Sequence, residues 1–173
     1  MRVLFTVVGV LGHIHPLVPI ARAVQAAGHE VACAVPAPVL PTVERAGFRC
    51  FPADVAPARE SFGRAFPEML ALTGTDLADF HRRHVFAGLR AEPMARDVHA
   101  LAPARRPDVI VRDDAELGGC VAAERLGLLH AAVQVIADRP RLRALIAGPL
   151  GELRAAGRGQ RSPHSRRVRQ TLG

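Results

Sequence analysis

The first apolar stretch, Val3 to Val8 (VLFTVV), is β-branched and shows no alternation, which predicts a strand buried on both faces of a parallel sheet. It stops at Gly9, and from Pro16 the spacing changes. Leu17, Ile20, Ala21, Val24 and Ala27 recur at three and four residues, predicting a helix that Gly28 ends. The cycle then repeats: Val31 to Val35 reads as a strand, residues 38–46 as a short helix stopped by Gly47, and Phe48 to Phe51 as a third strand. Residues 52–102 break the rhythm with scattered apolar positions among Pro and Gly, and read as two or three irregular helices. Asp108 to Val111 predicts a fourth strand, residues 116–126 a helix stopped by Gly127, and His130 to Ile136 a fifth strand. Strands alternating with helices imply an α/β fold, a Rossmann-like doubly wound parallel sheet with right-handed crossovers. Periodicity vanishes from Arg154, so residues 1–153 form the expected domain and 154–173 an Arg-rich disordered tail.

Charge first suggests a nucleic-acid partner, because 173 residues carry a net +7. Its location removes the suggestion. All the basic residues are Arg, and Arg154, Arg158, Arg161, Arg166, Arg167 and Arg169 lie in the tail, which has no acid, leaving a nearly neutral body. Tyr and Trp are absent, so base-stacking platforms are hard to build and no specific nucleic-acid partner is expected. Cys33, Cys50 and Cys120 are odd in number and each set in an apolar run; they read as small buried side chains in a reducing, cytoplasmic setting. The opening run resembles a signal peptide, with Ala21-Arg22-Ala23 resembling a cleavage site. Gly9 and His13-Ile14-His15-Pro16 interrupt it, however, and it is too short for a transmembrane segment.

A doubly wound sheet binds ligands beyond the carboxyl ends of its strands, where the winding reverses. With strand order 3-2-1-4-5 the loop from Gly9 to His15 faces the loop from Arg112 to Glu116, so His13 and Asp113 are expected to meet. The first loop, GVLGHIHP, lacks the G-x-G-x-x-G spacing, and Ala34-Val35-Pro36 offers no acid for a ribose; no phosphate-loop Lys follows either, so no bound cofactor is expected. What remains is a glycine-rich turn with His13 at its tip, just before a helix N-terminus. Other uses stay open: His13 capping the helix, Asp113 and Asp114 capping the next one, or His13 and His15 as two legs of a metal site. No third ligand at sensible spacing is evident, so no metal is expected. Cys120 reads as packing, and His81, His84 and His99 as ordinary surface or core side chains.

Residues 12–31, GHIHPLVPIARAVQAAGHEV, resemble the start of the two-domain (GT-B) glycosyltransferases that use nucleotide-activated sugars, closest to the macrolide and natural-product type. Residues 106–127, RPDVIVRDDAELGGCVAAERLG, are similar to a second stretch of that family. The resemblance implies the N-terminal, acceptor-binding domain of an enzyme moving a hexosyl group to a hydroxyl of a small-molecule natural product. It implies His13 as general base and Asp113 as its orienting acid, with Asp114 the one-residue alternative, Gly12 and His15 beside the substrate, and inversion at the anomeric carbon. Residues 62–101 would line the acceptor pocket. The family holds its UDP- or dTDP-sugar mainly in a C-terminal domain, through a His/Gly-rich motif that residues 128–173 do not contain. The expectation is therefore a truncated or split enzyme, inactive alone; the alternative is a non-catalytic binding module or a partner subunit of a separate glycosyltransferase.

Overall fold

A computed structural model describes residues 1–54, 64, 66–135, 147–148, 151 and 154–155. Five parallel strands form one sheet in the order β3-β2-β1-β4-β5: β1 Arg2–Thr6, β2 Glu30–Val35, β3 Arg49–Pro52, β4 Val109–Asp113 and β5 Leu129–Val133. Register places Thr6 beside Ala34 on one side and Arg112 on the other, so the carboxyl ends of the central strands finish level. The winding reverses between β1 and β4.

Alternation along each strand sends its side chains to two separate cores. Val3, Phe5, Val31, Cys33 and Val35 pack against Ile14, Leu17 and Ala21 of helix α1 (Leu11–Ala26) and Val43 of α2 (Leu40–Arg45). On the opposite face Leu4, Ala34 and Ile110 pack against Met94 and Val98 of the long helix before β4 and Ala122 and Ala123 of the helix after it. Neither face of the central strands is left to water, which is why their sequence shows no polar alternation.

The structure departs from the sequence reading at three places. Helix α1 begins at Leu11, not near Pro16, because the Val10 carbonyl accepts the His13 and Ile14 N–H groups at 2.9 and 3.2 Å. Pro16 and Pro19 therefore lie inside the helix; the carbonyls they leave unpaired belong to Gly12 and His15, both exposed, where water can serve them. The expected irregular helices are a short 3₁₀ turn at Pro67–Ala71 followed by one continuous rod: α3 (Gly74–Phe80), a π-helical stretch (His81–Arg90) and α4 (Ala91–Arg105). Arg154, assigned to the tail by composition, is helical and pairs with Glu124 at 2.6 Å. Residues 156–173 and Ile136 lie outside the described residues.

Helix α5 (Gly118–Leu126) packs on α4 at very short range. A Cβ on Gly118 would stand 2.5 Å from the Ala91 carbonyl oxygen and from Met94 Cβ, and one on Gly119 would strike the Thr6 hydroxyl. The Gly-Gly pair thus permits the contact that closes this face. Left-handed Gly127 (φ 69) ends α5, leaving only Leu128 before β5.

Candidate active site

Six polar or charged residues are buried among the described ones, and all gather at the carboxyl ends of the strands: Thr6, Asp54, Arg90, Asp113, Asp114 and Glu116. Burying such groups costs free energy unless each finds a partner, so their concentration at one end marks a constructed polar site.

Asp113, the last residue of β4, is fully buried. Its Oδ2 accepts the Val8 N–H at 2.9 Å, and its Oδ1 accepts the Ala115 and Glu116 N–H groups at 2.8 and 3.1 Å. The Val8 bond spans the crevice between β1 and β4, and the two local bonds fix the carboxylate on its own loop. Oδ1 also meets His13 Nδ1 at 3.0 Å. Because the carboxylate oxygens serve as acceptors, the shared proton belongs on Nδ1, and in the neutral ring Nε2 then keeps its lone pair. The His13 side chain is 14% exposed, so the ring is screened yet not sealed from solvent. Phe86, from the π-helical stretch, sets its ring edge-on to the imidazole at 5.9 Å and steadies its plane.

The other residues marked in the sequence separate. Asp114 turns to the sheet edge, its backbone N–H donating to the Val133 carbonyl at 2.9 Å and its Oδ1 accepting from the Val135 N–H at 3.0 Å; it does not contact His13. Gly12 is exposed in the first turn of α1 with open space around it, and His15 is exposed on the same helix.

Behind Asp113 lies a second buried layer that the sequence did not reveal. Glu116 accepts from the Thr6 hydroxyl at 2.5 Å and from the Gly119 N–H at 2.9 Å, so it ties β1 to the start of α5. Burial pushes its carboxyl up to about 7, against the opposing pull of the Thr6 hydrogen bond and the Arg112 charge. Arg112 Nη1 donates to the carbonyls of Asp113, Asp114 and Glu116 at 3.0, 3.3 and 2.8 Å, clamping the loop from which both acids hang. Across the crevice Arg90 reaches Asp54 at 2.6 Å, and its guanidinium lies close enough to Gly9 that a Cβ there would stand 3.3 Å from Nη2. Burial raises the Asp54 carboxyl while Arg90 holds it down. Thr6, a lone hydroxyl inside a buried apolar strand, was the one visible signal for this layer.

No family model matches the chain. It is 34% identical over 135 residues to the L-demethylnoviosyl transferase of Streptomyces niveus, covering 74% of this chain and 33% of that protein. Its curated homologues and structural neighbours are natural-product glycosyltransferases. A second member, the aclacinomycin-T 2-deoxy-L-fucose transferase of Streptomyces galilaeus, is 31% identical over 157 residues, covering 76% of this chain and 36% of that enzyme. The chain thus spans about a third of the length of these curated glycosyltransferases. Among solved structures the glycosyltransferase SsfS6 of Streptomyces sp. SF2575 superposes with a TM-score of 0.75 at 25% identity, covering 94% of this chain and 47% of that one. The same enzyme has been solved with thymidine diphosphate. The five-stranded sheet corresponds to the N-terminal domain of the GT-B architecture. No helix among the described residues is long and apolar enough to cross a membrane.

Proposed function

We propose that this chain supplies the acceptor-binding half of a glycosyltransferase that moves a hexosyl group from a nucleotide-activated sugar to a hydroxyl of a small-molecule natural product. The observation that carries the reading is the 3.0 Å contact between His13 Nδ1 and a fully buried Asp113 already held by three backbone N–H groups. A sugar-accepting hydroxyl must lose its proton as its oxygen attacks the anomeric carbon. His13 Nε2 takes that proton, and Asp113 holds the ring in the required tautomer and stabilises the imidazolium that results. The new C–O bond forms opposite the breaking bond to the nucleoside diphosphate, which leaves with the electron pair, and the anomeric centre inverts.

The acceptor lies against the rod that carries Phe86, on which the Phe80 and His84 rings lie 4.5 Å apart and Phe66 meets Phe80 at 5.5 Å. These rings favour a flat, apolar acceptor with few polar anchors. The UDP- or dTDP-sugar is held by a second, donor-binding domain; Gly12 and His15 are exposed on the first turns of α1 and open to substrate.

The test joins this chain to the donor-binding half of the Streptomyces niveus relative and measures sugar transfer from nucleotide-activated deoxysugars to phenolic and macrolide hydroxyls. His13→Ala lowers turnover by about 10²- to 10⁴-fold, the usual contribution of a general base. Equal turnover in an active fusion carrying His13→Ala would overturn the assignment.

A further inference from the structure

We propose that Cys120, Glu124 and His130 form a binding site for a zinc-class divalent ion, with a fourth coordination position open to water. Cys120 and Glu124 stand one turn apart on α5, and His130 is the second residue of β5. Their donor atoms converge, with Cys120 Sγ 3.6 Å from Glu124 Oε1 and 3.7 Å from His130 Nε2, and all three atoms within 4.8 Å of one another. The ligand atoms of a tetrahedral zinc ion stand about 3.3 to 3.6 Å apart, given metal–ligand bonds of about 2.0 to 2.3 Å. Two edges of the triangle already have nearly that length, so small rotamer changes complete the set.

The cluster is already arranged to hold a positive charge. The Arg154 guanidinium donates to both Glu124 oxygens at 2.9 and 2.6 Å and approaches Cys120 Sγ at 3.6 Å. Arg154 is the occupant that an ion must displace, and its 44% exposed side chain can swing into solvent. Cys120 binds by giving its proton to solvent as the sulfur–metal bond forms. The mixed sulfur, nitrogen and oxygen set suits zinc or cobalt rather than magnesium or calcium. His130 aligns with Ile110, three residues before Asp113, so the ion lies away from the catalytic pair and clips α5 to the edge strand. A C-x₃-E-x₅-H spacing matches no familiar zinc signature, because the site depends on the turn between α5 and β5 to bring its ends together.

The test is cobalt titration of the chelator-treated chain, read by the thiolate-to-cobalt charge-transfer absorption. One equivalent of cobalt is expected to develop the band and zinc to bleach it. The Cys33→Ser/Cys50→Ser variant keeps the band and Cys120→Ser abolishes it. His130→Ala weakens cobalt binding by about tenfold or more, the loss that follows even from removing an outer partner of a ligand. Arg154→Ala strengthens binding by removing the competing cation, an effect that a merely structural ion pair would not give. A wild-type chain with no band, or a band that survives Cys120→Ser, would overturn the proposal. If Cys120→Ser does not fold by circular dichroism, the exposed variants decide: unchanged affinity in both His130→Ala and Arg154→Ala rejects the site.

Discussion

Replacing Asp113 by Asn separates the two duties of this carboxylate. Oδ1 receives His13, Ala115 and Glu116, and Oδ2 receives only the Val8 N–H at 2.9 Å. The introduced side-chain amide offers one acceptor oxygen, which best replaces Oδ1. Its NH₂ then confronts the Val8 N–H, two donors face to face in a fully buried position. Stranding a buried N–H costs about 1–3 kcal/mol, and the bonds that remain lose the strengthening of an ionised acceptor. Together these give a destabilisation of roughly 3 kcal/mol. With a urea dependence of about 2 kcal/mol per molar, the unfolding midpoint falls by about 1.5 M. His13→Ala, by contrast, removes one bond from a partly exposed helical residue and is expected to cost about 1 kcal/mol or less. Urea titration followed by circular dichroism makes the comparison. If Asp113→Asn unfolds at the wild-type urea concentration with an unchanged slope, the carboxylate does not hold the β1–β4 crevice together as described.

Gly118→Ala forces a Cβ to 2.5 Å from the Ala91 carbonyl, a contact that backbone alone must relieve, and a loss of about 1–3 kcal/mol with a lower thermal midpoint is expected. Glu116 binds its proton more tightly folded than unfolded, so its contribution is fully present below about pH 4.5 and is lost as pH rises through about 7; burial shifts Asp54 in the same direction. For Glu116 the change amounts to roughly 3 kcal/mol. Thermal melts of Glu116→Gln between pH 5 and pH 8 should accordingly fall less steeply than those of the wild type, and equal slopes would refute the burial argument.

The strands were legible because double burial removes polar alternation and leaves unmistakable apolar runs, as at Val3 to Val8 and Val31 to Val35. The neighbouring of His13 and Asp113 followed from strand order, since a reversal of winding puts the ends of β1 and β4 side by side. The start of α1 was misplaced because two prolines within a helix ordinarily mark its first turn; here the carbonyls they strand lie on the wet side. The Thr6–Glu116 and Asp54–Arg90 pairs escaped notice because their partners lie 110 and 36 residues apart and no periodicity connects them. The convergence of Cys120 with His130 was hidden for a related reason: an apolar run describes a cysteine's burial but not what its sulfur meets.

Base catalysis by His13 turns on which imidazole nitrogen carries the proton. Nitrogen NMR of the ¹⁵N-labelled chain, with His13→Gln to assign the resonance, reads this from the two ring-nitrogen shifts and their couplings to the carbon-bound protons. A protonated Nδ1 bonded to Asp113 and a bare Nε2 are expected for the neutral ring, with the preference lost in Asp113→Asn. A proton on Nε2 in the wild-type chain would leave no lone pair for an acceptor hydroxyl and would contradict the assignment of His13 as the base.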